Sequence, residues 1–426
     1  MIIHVVKNGD TVSSVAAMHN VSPALVAELN GINQNESLAV GQSLVILIPK
    51  TVYTAKQKDT LFGIAESFGT TLRQLYRNNP SYIKNPSVFP GDEIIIEYES
   101  DKQRTIKTNG YAYPYVTRDI LIESLLFMTY LSPFTYGITY EGGLVMLNDS
   151  ELLSDAAEYG VMPLMHLSTL TENGGFSNEL ASAVLNSEEL QQKLISSIIN
   201  TISEKGYAGL DIDFEFVLPE DSVLYAEFIR KIRSRLAPLG KLVYSALAPK
   251  TSDDQKGTLY EGHNYSLIGD VSDGVLLMTY EWGYTYGPPM AVAPINSVRN
   301  VVEYALTRIP ANKIFLGIPN YGYDWTLPFI KGSSRARSIS NIEAVELAKR
   351  YGKDILFDDF SQTPHFNYTD ENGAEHEVWF EDARSMNAKY KLIEEYNLTG
   401  AGFWNLMRPF RSNWSLLGNV FNIYGG

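Results

Sequence analysis

The stretch that most constrains the fold is Gly209–Glu215, in which three acidic residues alternate with three large apolar ones. Period-two alternation is typical of a β-strand with two different faces, so Asp211, Asp213 and Glu215 share one face. Helix-like runs flank the stretch on both sides, which indicates a parallel sheet with both of its faces covered. The acidic face is therefore predicted to look inward.

Three carboxylates on an inner face are costly, because like charges repel and each group loses its hydration. The cost falls if one carboxyl keeps its proton at a raised pKa, and such a group can serve as an acid in catalysis. The alternative is an edge strand whose acids face water, which the flanking helices disfavour. The stretch therefore predicts an acidic catalytic centre.

Strand-like segments recur at regular intervals after residue 105, mostly separated by stretches long enough for a helix. They are Gly110–Tyr115, Tyr130–Tyr136, Met162–Ser168, Gly209–Phe216, Leu242–Ala248, Gly274–Tyr280, Ile314–Tyr321 and Gly400–Leu406. This α/β pattern predicts a (β/α)8 TIM barrel, whose active site lies at the carboxyl ends of the strands. Polar and aromatic residues collect there, namely Tyr113, Ser168, Glu215, Tyr280, Glu281, Tyr321 and Trp404.

One interval, between the seventh strand and Trp379, is too long for a single helix and has hairpin character around a turn at Asn372-Gly373. We predict a small α+β insertion over about residues 326–378 that walls one side of the cleft, within a barrel domain of residues 107–426.

The first hundred residues contain one pattern twice, with Asn8–Ala16 repeated as Gln57–Ala65. Each copy reads strand, helix, helix, strand, and Asp10 and Asp59 are predicted to be helix N-caps. We therefore expect two βααβ modules, 1–49 and 50–98. A polar linker at 99–106 should follow, with few contacts crossing it.

The composition narrows the possible partners. A net charge of −15 disfavours nucleic acid, and the absence of cysteine excludes disulfides and thiolate metal sites. The six histidines show no ligand spacing, so neither a metal nor a cofactor is predicted. No apolar run approaches the ~18–20 residues of a membrane span, and the residues after Met1 lack a signal-peptide pattern. We expect a monomer that does not act on membranes.

Both repeats resemble LysM modules in the Asp-Thr opening, the asparagine at the end of the second helix and the closing Gly turn. The resemblance implies binding of glycans that contain N-acetylglucosamine. The positions that match the glycan groove of the family are Gly9, Asp10, Thr11, Asn30, Asp59, Thr60 and Asn79. The alternative is a repeated scaffold that binds a protein.

The barrel resembles glycoside hydrolase family 18. Ala208–Glu215 is similar to the Asp-Gly-x-Asp-x-Asp-x-Glu signature of that family, Met278–Glu281 to its Met-x-Tyr-Asp motif, and Trp404 to the tryptophan that ends its eighth strand. This chain departs from the pattern twice, with alanine at 208 and with Glu281 in place of the usual aspartate.

The resemblance implies a retaining mechanism in which the acetamido group of the substrate is the nucleophile. In that mechanism Glu215 is the general acid, Asp213 orients the acetamido group, Asp211 buffers the charge of Asp213, and Tyr280 donates to the acetamido carbonyl. Trp404 forms the floor under the sugar.

Glu281, Tyr321 and Tyr113 are predicted to line substrate subsites. The alternative for these three side chains is ordinary packing at the barrel rim.

Three further segments resemble the spore-associated glycosylases within that family: Leu247–Ser252, Met278–Gly283 and Glu377–Ser385. This resemblance implies an N-acetylglucosaminidase that acts on cortex peptidoglycan during germination. It also implies synthesis in the mother cell and location in the spore coat or cortex. Two alternatives remain, a chitinase on chitin oligomers and a catalytically silent glycan-binding lectin.

Overall fold

The computed structural model describes residues 1–100, 102 and 104–425. Each N-terminal repeat folds as an antiparallel strand pair with helices packed on it, as predicted. The first module contains β1 (Ile2–Val5), α1 (Val12–Met18), α2 (Pro23–Asn30) and β2 (Ser43–Ile46). The second module contains β3 (Pro49–Thr54), α3 (Leu61–Phe68), α4 (Leu72–Asn78), α5 (Ser81–Lys84) and β4 (Glu93–Tyr98).

The prediction that Asp10 and Asp59 are N-caps was wrong by one residue. The caps are Thr11 and Thr60, whose hydroxyls accept hydrogen bonds from the N–H groups of the first helical turn. Asp10 and Asp59 instead accept the backbone N–H three residues earlier, from Lys7 at 2.8 Å and Lys56 at 2.7 Å. The acids therefore hold the turn before the helix, because the chain is still reversing direction there.

The third region is a closed barrel of parallel strands, which confirms the predicted fold class. Its strands are β5 (Thr105–Ala112), β6 (Tyr130–Pro133), β9 (Met162–Ser168), β10 (Gly209–Asp213), β11 (Leu242–Leu247), β12 (Gly274–Leu277), β13 (Ile314–Pro319) and β19 (Gly400–Trp404). Pairing of β19 with β5 closes the barrel. A short strand, β20 (Asn422–Ile423), extends the sheet beside the start of β5.

Helices cover the outside of the barrel. They are α6 (Arg118–Leu125), α7 (Ser150–Glu158), α8 (Asn178–Leu185), α9 (Glu188–Lys205), α10 (Ser222–Leu236), α11 (Tyr265–Val271), α12 (Ile295–Leu306), α14 (Ala383–Glu395) and α15 (Arg411–Val420). Short 3-10 turns lie at Pro219–Asp221, Ala237–Leu239 and Ala311–Lys313. A small hairpin of β7 (Gly137–Ile138) and β8 (Leu144–Val145) follows the second barrel strand. Within the described residues, no helix is both long and apolar enough to cross a membrane.

The insertion is a five-stranded antiparallel sheet with one helix, α13 (Asn341–Arg350). Its strands are β14 (Gly322–Thr326), β15 (Arg337–Ile339), β16 (Leu356–Asp358), β17 (Thr363–Thr369) and β18 (Glu375–Trp379). The expected hairpin is present as β17 and β18, with Gly373 at a φ of 83° in its turn.

The first module packs directly against the barrel, so the expectation of few contacts across the linker was wrong. Leu25, Leu29 and Val45 belong to the same hydrophobic core as the outer barrel helices. Gly41 lies against the insertion so closely that a Cβ there would come within 1.9 Å of the carbonyl oxygen of Ile355. Each module has apolar residues on more than one face. The hydrophobic pattern in the sequence does not distinguish the residues of the module's own core from those that pack against the barrel.

The second module docks through two arginines. The guanidinium of Arg73 donates to the carbonyl oxygens of Leu125 and Met128, at 2.7 and 2.6 Å. Arg77 donates to the carbonyl oxygen of Leu126 at 2.6 Å. The carbonyls of Leu125 and Leu126 lie at the end of α6 and that of Met128 just beyond it, and the carboxyl end of a helix attracts cations. Asp101 and Gln103 of the expected linker lie outside the described residues.

Candidate active site

The acidic stretch forms β10, and its alternation is as predicted. Asp211 and Asp213 face the barrel interior and pair with His166 and Ser168 of β9, while the intervening apolar side chains are buried on the other side of the sheet. The strand ends at Asp213. Glu215 therefore lies two residues beyond the strand, at the mouth of the barrel.

Asp211 is the deepest of the three acids and is 1% exposed. It accepts hydrogen bonds from the Ser132 hydroxyl at 3.0 Å and the Asn109 amide at 3.4 Å. Burial raises the pKa of Asp211, and the hydrogen bond from Ser132 opposes that rise in part.

Asp213 lies above Asp211, with His166 as its neighbour. His166 Nε2 is 3.5 Å from Asp213 Oδ2, and the other ring nitrogen is 2.7 Å from the Thr135 hydroxyl. Within the described residues, Asp213 Oδ1 has no hydrogen-bond partner. Burial raises the pKa of Asp213 and lowers that of His166 to about 4. The imidazole is therefore neutral at ordinary pH, and the carboxyl keeps one oxygen available for a ligand.

A cavity of about 250 Å³ opens above these residues. It is far larger than the ~10–15 Å³ that a single water molecule needs. Its lining consists of Asp213, Glu215, Pro249, Leu259, Tyr260, Met278, Tyr280, Glu281, Trp282 and Trp404. Five predicted site residues thus share one cavity, and no Lys or Arg is among the described residues that line it.

Glu215 has the environment of an acid that holds its proton. Burial raises the pKa of Glu215, and the charges of Asp213 and Glu281 raise it further. Burial also raises the pKa of Tyr280 well above its usual range, so its hydroxyl remains a donor. The cavity can therefore present an O–H to a leaving oxygen and a second O–H to a carbonyl group.

Glu281 is held at the edge of the cavity in an unusual backbone conformation, with a φ of 67°. Left-handed φ is uncommon for a residue other than glycine and carries some strain. The hydroxyls of Tyr321 and Tyr323 both donate to the carboxylate, the latter at 3.0 Å. Tyr321 therefore fixes Glu281 and does not line the cavity itself.

Trp404 and Tyr113 belong to an aromatic group at the mouth of the barrel. The ring centroid of Trp404 lies 4.8 Å from that of Phe134 and 6.2 Å from that of Tyr113. Tyr113 stacks in turn on Tyr115, at 5.3 Å, and Tyr115 is 77% exposed. Trp404 lines the cavity, whereas Tyr113 is not among the residues that line it.

The glycan-binding positions predicted in the two modules lie outside this cavity, and each has a clear structural role. The side chain of Asn30 bridges the Val26 carbonyl and both backbone groups of Val45. Asn79 makes the equivalent bonds to Leu75 and Ile95. These amides join the second helix to the closing strand in each module. Gly9, with a φ of 87°, and Asp10, Thr11, Asp59 and Thr60 form the turns before the first helices.

Three residues near the acids were not predicted as part of the site: Asn109, Ser132 and His166. All are on the inner face of their strands, opposite or near Asp211. The signal that could have found them is strand parity, because every second residue of a barrel strand points inward.

Comparison with known proteins gives a consistent result. Residues 165–408 match the family "Glycosyl hydrolases family 18", and residues 4–47 and 53–97 match the LysM domain. The cortical fragment-lytic enzyme of Bacillus subtilis is 40% identical over 99% of both chains. The crystal structure of the spore cortex-lytic enzyme SleL of Bacillus megaterium is 38% identical, covers 100% of this chain and 99% of its own, and has a TM-score of 0.84. A chitinase from Chromobacterium violaceum, 23% identical, covers 74% of this chain and 99% of its own with a TM-score of 0.69, which is a likeness of fold.

Proposed function

Since the chain belongs to glycosyl hydrolases family 18, we propose that this glycosidase cleaves spore-cortex peptidoglycan during germination, as an N-acetylglucosaminidase. The full-length similarity to proteins named cortical fragment-lytic enzyme supports this substrate. One observation supports the chemistry: Glu215, whose pKa is raised, shares a cavity with Asp213, Tyr280 and Trp404. Among the described residues, one carboxyl oxygen of Asp213 has no hydrogen-bond partner.

We propose that Glu215 donates its proton to the glycosidic oxygen as the bond to C1 breaks. The acetamido oxygen of the substrate attacks C1 from the other side, which gives an oxazolinium ion without an enzyme nucleophile. Asp213 accepts the acetamido N–H through its open oxygen, and Tyr280 donates to the acetamido carbonyl. Glu215, now ionised, removes a proton from water as the water oxygen attacks C1. This attack opens the oxazolinium ring and gives a product with retained configuration at C1.

The surrounding residues support each of these roles. Asp211 lies below Asp213 and accepts hydrogen bonds from Ser132 and Asn109. Asp213 can therefore rotate toward the substrate while Asp211 keeps its hydrogen-bond donors. Trp404 provides an apolar face next to the reacting group. Glu281, fixed by two tyrosines, is our candidate for a contact to a neighbouring sugar, and Tyr113 for a contact at the rim.

Digestion of purified cortex fragments tests the proposal. We expect products that end in reducing N-acetylglucosamine, identified by mass spectrometry, with the retained anomer in NMR spectra. De-N-acetylated glycan should resist cleavage. Products that end in muramic acid, or an inverted anomer, would contradict the mechanism. Faster turnover of chitin oligomers would favour a chitinase, and binding without turnover would favour a lectin.

We also propose that the two modules bind N-acetylglucosamine-containing glycan through their turns, around Gly9–Thr11 and Lys58–Thr60. We retain as proposals the domain limits 1–49, 50–98 and 107–426, a monomeric state, and a location in the spore coat or cortex. The modules pack on the barrel, so the full chain with Glu215→Gln is the suitable probe. Binding to insoluble peptidoglycan should persist when a thiazoline inhibitor fills the cleft. Complete loss of binding would count against the modules.

A further inference from the structure

One of the backbone hydrogen bonds, or rungs, that join β10 to β11 is replaced by a side chain next to the active site. Strands β10 and β11 pair in parallel, with Gly209 opposite Leu242 and Ile212 opposite Ser245. The first rung runs from the Leu242 N–H to the Ala208 carbonyl, at 3.2 Å. Rungs from the same strand recur every second residue in a parallel pair. Continued to the end, this series would join the Ala248 N–H to the Phe214 carbonyl.

The side chain of His263 occupies that place instead. The Ala248 N–H donates to His263 Nδ1 at 2.9 Å, and Nε2 is 2.9 Å from the Phe214 carbonyl oxygen. Because Nδ1 accepts from an N–H, the ring hydrogen must be on Nε2, which donates to Phe214. The ring is fully buried, and burial lowers the pKa of His263 to about 4, helped by the charge of Lys250. A neutral imidazole thus forms a wide rung between the two strands.

We propose that His263 is a positioning residue for the general acid. The Phe214 carbonyl belongs to the peptide that leads into Glu215, and Pro249, the residue after Ala248, lines the same cavity as Glu215. One ring therefore sets both the direction of the peptide at Glu215 and the gap between the two strand ends. A direct backbone hydrogen bond at ~2.9 Å would draw Glu215 and Pro249 together and narrow the cavity.

The surroundings hold this ring in place. Lys250 is only 3% exposed, and its ammonium donates to the His263 carbonyl at 3.1 Å. The hydroxyl of Tyr265 accepts from the Lys250 N–H at 3.0 Å and donates to the Ala248 carbonyl at 2.5 Å. On the other side, the ring of Phe214 stacks on Tyr225 with centroids 5.4 Å apart. Within the segment Leu247–Ser252, Ala248 and Lys250 therefore supply the groups that hold the wide rung.

The inference rests on Glu215 being the general acid, and a set of full-length variants tests it. His263→Leu removes both hydrogen bonds at similar volume. We expect kcat to fall by about 10²-fold, the scale of a displaced catalytic group, with KM nearly unchanged. His263→Gln has an amide that can accept from one backbone group and donate to the other, and it should regain most of kcat. His263→Asn is too short to span the gap and should behave like leucine.

Two readouts separate positioning from general destabilisation. The alkaline limb of the pH–kcat profile should move in His263→Leu, because the surroundings of Glu215 change. Tyr390→Phe, which removes a buried hydrogen bond to Asn413 on the far side of the barrel, should lower stability and leave kcat and its pH profile unchanged.

If His263→Leu does not fold, the glutamine and asparagine variants decide, and equal kcat in both would overturn the inference. Wild-type kcat in His263→Leu would also overturn the inference about His263. If Glu215→Gln is inactive in the same assay, the proposed function is still supported. An active Glu215→Gln would remove both.

Discussion

Asp213 and Asp149 are both buried carboxyls of the same barrel, but their pKa values move in opposite directions. Burial raises the pKa of Asp213, which has no lysine or arginine beside it among the described residues. Burial also acts on Asp149, which is 1% exposed. There the ammonium of Lys205, at 2.6 Å, and the hydroxyls of Tyr136 and Tyr207 outweigh it and lower the pKa.

The difference shows that burial alone does not make a carboxyl catalytic. Asp149 is a structural anion, since its charge is matched by a lysine and two phenols outside the barrel wall. In the part of the chain that the structure describes, the cleft acids have only one another and neutral donors as neighbours, so a proton must be retained among them at neutral pH. The capacity of the cleft acids for acid catalysis therefore follows from the lack of a lysine or arginine beside them among the described residues.

The sharpest test is Glu215→Gln, which removes the transferable proton and keeps the shape. We expect kcat to fall by about 10²–10⁴-fold, the range for lost general acid catalysis, with an unchanged melting temperature. Glu220→Gln, at an exposed position in the 3-10 turn Pro219–Asp221, is the matched control and should keep wild-type activity. Wild-type kcat in Glu215→Gln would remove the assignment.

Asp213→Asn should have the next largest effect on turnover, because the acetamido N–H loses its charged acceptor. It also removes a charge that raises the pKa of Glu215. Glu215 should therefore lose its proton at lower pH, and the alkaline limb of the pH–kcat profile should shift downward. An unshifted or upward-shifted limb would show that the two carboxyls are not coupled in this way.

Lys205→Met tests the other half of the comparison by removing the cation from Asp149. We expect the free energy of unfolding to fall by about 3–5 kcal/mol, as for a broken buried ion pair, while kcat is unchanged. In the native protein the lowered pKa of Asp149 contributes stability above its unfolded value of ~3.9, lost as pH falls through the folded pKa. The deficit of Lys205→Met should therefore be large at neutral pH and shrink in acid. Lys193→Met, from an exposed pair, should cost less than about 1 kcal/mol.

Glu281→Gln should have the smallest effect. The amide can still accept from Tyr321 and Tyr323, so the position of the side chain should be retained. Its lost charge should lower the pKa of Glu215 and move the alkaline limb downward by less than Asp213→Asn does. A larger shift of the alkaline limb in Glu281→Gln than in Asp213→Asn would contradict this, because it would show that Glu281 raises the pKa of Glu215 more than Asp213 does.

The local features of this protein could be predicted from its sequence. The alternation of Gly209–Glu215 identified the inward acids because a strand has a strict period of two. The repeat identified two modules, because capping threonines and closing glycines act within a few residues of their own positions. The prediction of the caps missed by one residue, since Asp and Thr are both good N-caps and only the turn geometry distinguishes them.

Tertiary structure alone decided the contacts between distant segments. The segment between β11 and α11 brings His263 to Phe214, and the register of β9 against β10 brings His166 beside Asp213. The docking of the modules likewise depends on Arg73 and Gly41 meeting backbone carbonyls more than fifty residues away in the chain. Such partners leave no periodic trace in the sequence, because a backbone carbonyl is offered by every residue and its direction is set only by the fold.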